Sequence, residues 1–109
     1  GLCYCQGALA PAGVDVETGI RKLAPHINYA HFRNVSGTAG NFRETFHDNG
    51  DLDMAALMRA YEECGFSGPM RPDHAPSLAG EPNETPGYET LGKLHAIGYM
   101  KGLYEAAKS

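Results

Sequence analysis

Gly68-Pro69-Met70-Arg71-Pro72-Asp73-His74 reads as a short buried strand that stops on a carboxylate and an imidazole. Pro72 fixes the backbone just before the Asp-His pair. A long loop, rich in proline, follows. Two other segments have the same form: Leu2-Cys3-Tyr4-Cys5, and a strand that carries Ala30-His31-Phe32-Arg33 near its end. Three strand ends therefore offer Cys, His and Asp, donor types that bind divalent transition metals. The functional reading turns on whether those ends converge.

Working outward, helices separate the strands. After residues 2–5, Asp15 is placed to cap a helix, with Glu17 in the first turn where the dipole favours negative charge. Val16, Ile20 and Leu23 give this helix an apolar face, and Pro25 stops it. A second strand is expected over Ile27 to Val35, with Tyr29, His31 and Arg33 sharing one face. Residues 36–50 hold Gly37, Gly40, Asn41, Asn49 and Gly50 without a steady period, and predict a loop. Asp51 is expected to cap a second helix. Its stripe, Met54, Leu57, Met58 and Tyr61, falls at helical spacing, and Gly65 ends it. The third strand is about Gly68 to Arg71. Thr85-Pro86 is expected to open a last helix whose buried side is Leu91, Leu94, Ile97, Met100 and Leu103.

Alternation of strand and helix predicts right-handed βαβ units and a parallel sheet, whose ligands sit at the carboxyl strand ends. The long loops follow strands, and the helix-to-strand turns are short. The fold class is α/β: about three βα units of an eight-unit barrel, with residues 1–109 one piece and no complete domain alone. Gly1 begins inside what reads as a strand, so more chain is expected before it.

Composition narrows the partners. A net charge of -4 and the lack of a basic cluster interleaved with aromatics argue against nucleic acid. No apolar run approaches the ~20 residues that span a bilayer. Three cysteines make an odd count, with Cys3 and Cys5 too close for an easy bridge, which fits a reducing, cytoplasmic setting. The glycines form neither GxGxxG nor a P-loop.

Each candidate also has a plain structural explanation. Cys5 suits a small buried strand position. His31 is a core histidine or a ligand; Arg33 on the same face, suited to a carboxylate, favours the binding role. Asp73-His74 is a turn pair, or a ligand beside a group that moves a proton. His47, in Thr45-Phe46-His47-Asp48, is a solvated loop side chain or a substrate contact. His26 and His95 are assigned no role.

Several of these segments carry a family resemblance. Tyr4-Cys5-Gln6-Gly7, His31-Phe32-Arg33-Asn34-Val35, Glu44-Thr45-Phe46-His47-Asp48-Asn49-Gly50-Asp51, Met54-Ala55-Ala56, Arg71-Pro72-Asp73-His74 and Gly98-Tyr99-Met100-Lys101-Gly102-Leu103 together resemble the C-terminal part of D-mannonate dehydratase. The resemblance implies a (β/α)8 barrel of the xylose-isomerase-like kind. It implies dehydration of D-mannonate to 2-keto-3-deoxy-D-gluconate in hexuronate breakdown, with Mn²⁺ or Fe²⁺. It implies that Cys5, His31 and Asp73 are metal ligands and that a further His ligand lies upstream. His74 resembles a catalytic acid/base beside Asp73, Tyr88 a tyrosine that closes over the substrate, and Arg33 and His47 substrate contacts.

Two alternatives stand beside this. A metal-dependent sugar isomerase on the same barrel would be expected to present more carboxylates and no thiolate. A non-catalytic remnant would only self-associate, as a homo-oligomer or with the missing barrel half.

Overall fold

A computed structural model describes residues 1–109. In chain order the elements are β1 (Leu2–Cys5), α1 (Gln6–Leu9), α2 (Val16–Leu23), β2 (Ile27–His31), β3 (Val35–Thr38), β4 (Asn41–Glu44), α3 (Met54–Glu63), β5 (Met70–Arg71) and α4 (Thr90–Lys108). Short 3₁₀ turns at Ala10–Ala12 and Ala24–His26 follow α1 and α2. β1, β2 and β5 form a parallel sheet in the order β1-β2-β5, and β3 and β4 form a separate antiparallel hairpin.

Register places the chemistry. Cys5 lies opposite His31, and His31 opposite Arg71, so the three strands end level. Asp73 follows two residues beyond the last strand position. One sheet face, through Tyr4 and Ala30, packs on α2 and α3 residues Val16, Ile20, Leu57, Met58 and Tyr61 in a single apolar core. Successive strand residues point to opposite faces, so Cys3, Cys5, Tyr29 and His31 occupy the other face, where Cys3 is exposed.

The α2 cap and the α3 stripe are where the sequence places them. Asp15 accepts from Thr18 N–H at 3.2 Å. Met54, Leu57, Met58 and Tyr61 are all buried. Gly65, at φ 76, closes α3 in a left-handed turn; its N–H donates to Glu62 O and that of Phe66 to Tyr61 O, the paired bonds of a Schellman stop.

Elsewhere the structure corrects the sequence. Asp53, not Asp51, caps α3, accepting from Ala56 N–H at 3.0 Å. Asp51 instead accepts from Ser36 Oγ and Gly37 N–H, tying down the hairpin base. The second strand ends at His31, and Val35 opens the hairpin that occupies part of the expected loop. α4 starts at Thr90, beyond Thr85-Pro86, and Leu91 N–H near its start donates to the Glu81 carboxylate at 2.9 Å. Leu23 is 39% exposed, and so are Leu91 (45%), Leu94 (63%) and Ile97 (44%), while Gly92, Ala96 and Met100 face inward. No helix is long and apolar enough to cross a membrane.

Candidate metal centre at the strand ends

The strand ends converge. One donor atom from each of Cys5, His31 and Asp73 lies within 4.8 Å of the others. Cys5 Sγ is 3.8 Å and His31 Nδ1 3.6 Å from Asp73 Oδ2. Metal–ligand bonds to S, N and O run about 2.0–2.3 Å, so donors on opposite sides of one ion stand about 4–4.6 Å apart. The observed spacing fits a shared cation, and so does the mixed soft and hard donor set.

Local structure explains each placement. Parallel pairing levels Cys5 with His31. Gln6, fully buried, donates through Nε2 to Arg33 O at 3.1 Å and ties the end of β1 to the segment after β2. Asp73 adopts φ 63, a left-handed conformation that Asp tolerates better than most residues. That turn brings a carboxylate from beyond β5 to the donors on β1 and β2.

Charge surrounds the cluster. Arg33 is buried, with Nη1 3.0 Å from Glu44 Oε1 and 3.4 Å from Asp73 Oδ2. Gly7 makes room for it: a Cβ at that position would collide with the Arg33 side chain. Burial raises the Glu44 carboxyl above its ordinary range, and Arg33 partly offsets this. Burial also raises the Cys5 thiol, against hydrogen bonding from Ala8 and the charge of Arg33. A bound cation reverses that balance and holds the thiolate.

A second pair lies beside the first. Tyr88 hydroxyl and His74 Nε2 are 3.2 Å apart, with the rings edge to face at 4.6 Å. The same nitrogen is 3.8 Å from Asp73 Oδ1, too long for a hydrogen bond, so Tyr88 is its partner. Ala75 N–H donates to Gly87 O at 3.2 Å and folds the loop back to bring Tyr88 over. Gly87 sits at φ 84, and a Cβ there would stand 2.8 Å from His74 Nδ1, so both conformation and space call for glycine.

His47 departs from expectation. It is fully buried, not a solvated loop residue, and Nε2 lies 2.9 Å from Pro72 O. With no ring atom at the surface, its substrate role as read from sequence is corrected to one inside the fold. Glu44 and Gln6 were given no role by sequence reasoning. Glu44 precedes the Thr45-Phe46-His47 segment, but nothing local shows that the hairpin returns it to Arg33. A mostly apolar surface groove lies elsewhere, beside β5 and α4, with Met58, Phe66, Met70, Ile97 and Tyr104 in its walls.

The fold and these donors define an α/β chain with a metal-type ligand cluster and a His–Tyr pair at its carboxyl strand ends. The family model described as D-mannonate dehydratase (UxuA) matches residues 1–109. The chain is 40% identical to a mannonate dehydratase of Enterococcus faecalis, over 100% of this chain and 31% of that protein. It is 39% identical to one of Brachyspira hyodysenteriae, over 97% and 31%. The crystal structure of mannonate dehydratase from Streptococcus suis serotype 2 superposes with a TM-score of 0.91 at 34% identity, covering 98% of this chain and 32% of that one. The chain belongs to the D-mannonate dehydratase family. It spans about a third of the length of the relatives it matches.

Proposed function

We propose that this chain supplies the Cys5, His31 and Asp73 side of a divalent metal centre in a hydro-lyase that converts D-mannonate to 2-keto-3-deoxy-D-gluconate and water, in hexuronate breakdown. The convergence of three metal-type donors within 4.8 Å, in a chain matched end to end by that family, carries the reading. Mn²⁺ or Fe²⁺ suits the donor set, and a further His from outside this segment completes it. The cation supplies Lewis acidity toward the oxygens of the sugar acid.

The residues of this chain handle charge and protons. Dehydration removes a proton from C2 and hydroxide from C3, and the resulting enol then becomes the 2-ketone. A base and an acid are both required. His74 and Tyr88 share one hydrogen bond and lie beside Asp73, so a proton passes between them next to the cluster. Arg33, with Nη1 3.4 Å from Asp73 Oδ2, offers positive charge beside the cluster for the carboxylate of the acid.

The remaining length of the relatives fits around this piece as the other units of a (β/α)8 barrel in a cytoplasmic enzyme. β1 and β5 are open edges, and unpaired edges attract partners. In a chain of the relatives' full length carrying this segment, Cys5→Ser and Asp73→Asn are each expected to cut Mn²⁺-dependent keto-acid formation by more than about a hundredfold, the ceiling for residues that only support a ligand. Near-normal rates in both would refute the proposal. The 109-residue chain by itself is expected to form no keto acid and to associate with rising concentration in light scattering.

A further inference from the structure

We infer that His47 is a positioning residue: its buried ring holds the Pro72 carbonyl and so fixes the left-handed turn at Asp73 that delivers the carboxylate to Cys5 and His31. The inference rests on the metal-centre reading above and adds a residue to it.

The end of the β5 ladder shows the need. Phe32 N–H donates to Arg71 O at 2.8 Å. The next carbonyl, Pro72 O, is taken by His47 Nε2 at 2.9 Å. Immediately afterwards Asp73 enters the left-handed region at φ 63. The chain must leave the sheet there and turn its carboxylate back, and Pro72 has no N–H with which to anchor itself. His47 supplies the hold from outside.

His47 is itself held firmly. Asn34 Nδ2 donates to His47 O at 3.0 Å, while Asn34 Oδ1 accepts from Val35 N–H at 3.0 Å and Leu52 N–H at 3.1 Å. Asn34 is 1% exposed and His47 0%. A fixed line of contacts thus runs from the end of β2 through Asn34 and His47 to the residue before Asp73. Because a carbonyl only accepts, Nε2 carries the proton; Nδ1 makes no hydrogen bond, although the Phe32 backbone lies near the ring. Burial lowers the tendency of this ring to take a second proton, in agreement with that form. Groups that orient ligands from behind tune metal affinity strongly without touching the metal.

The test compares His47→Gln, whose amide N–H reaches close to the Nε2 position, with His47→Leu, which fills space but cannot donate. Co²⁺ is the probe, read by thiolate-to-metal absorption. His47→Leu should weaken Co²⁺ binding at least tenfold, and His47→Gln should stay within threefold of the native chain. Equal affinity in all three, or equal losses in both variants, overturns the inference. A second reading needs no metal. Asp73 Cα and Cβ NMR shifts should report a left-handed backbone in the native chain and in His47→Gln, and should lose that signature in His47→Leu. If the native chain binds no Co²⁺, the metal reading fails while the NMR comparison still decides the positioning role. A left-handed signature that persists in His47→Leu refutes it.

Discussion

At the scale of single residues, burial sets the chemistry and gives it a pH dependence. His47 prefers its neutral form because desolvation outweighs the favourable carbonyls of Pro72 and Phe32; His95 adds to the depression and Asp48 opposes it. Its folded pKa therefore lies below that of the unfolded chain, about 6.5. The unfolded state takes up a proton first as pH falls. The contribution of a neutral His47 is thus fully present above about pH 6.5 and is lost as pH drops from there through the folded value. In urea unfolding, the stability advantage of the native chain over His47→Gln should shrink between pH 7.5 and 5. An advantage that stays constant over that range would show that His47 is not held neutral. The three donors were readable in the sequence because each stands at a strand end, and strand ends follow from local pattern. The work of Arg33 and His47 was not readable. Their partners, Glu44 and Pro72, come from segments 11 and 25 residues away, and only the hairpin and the returning loop bring them in.

Elements show where local signals compete. Asp51 and Asp53 both precede α3, and Asp51 is the cap expected from sequence. Asp53 wins because its carboxylate reaches Ala56 N–H, while Asp51 is engaged by the hairpin. Asp53→Ala should lower stability by about 1 kcal/mol, the usual value of such a cap. An unchanged urea midpoint would contradict the assignment. The hairpin itself left little trace: its strands are four residues each, and Phe42 is 46% exposed, so no buried face imposes alternation. α1 is a single turn, too short to show a period. α4 misled for another reason. It is apolar on two sides, and pattern alone does not say which side meets the core. Close packing does: a Cβ at Gly92 would run into the Pro76 carbonyl, so the small-residue side lies inward and Leu91 and Leu94 face out, while Leu103 packs against the core.

For the molecule as a whole, what stays uncovered is as telling as what is packed. Parallel sheets are ordinarily covered on both faces. Here helices cover one face, while Cys5 and His31 sit on the other, and both edge strands have one neighbour each. Leu91, Leu94, Ile97 and Tyr104 extend apolar surface along the outside of α4. In the barrel proposed above, such surfaces would face the remaining units; the chain spans about a third of its relatives' length. The donor cluster nonetheless forms within this segment, because parallel register and the Asp73 turn are local to it. Absorption spectroscopy of the protein titrated with Co²⁺ examines that cluster at its thiolate. A sulfur-to-cobalt band should appear in the native chain, in Cys3→Ser and in Cys64→Ser, and should vanish in Cys5→Ser. No band in the native chain, or one that survives Cys5→Ser, would mean that Cys5, His31 and Asp73 do not share an ion.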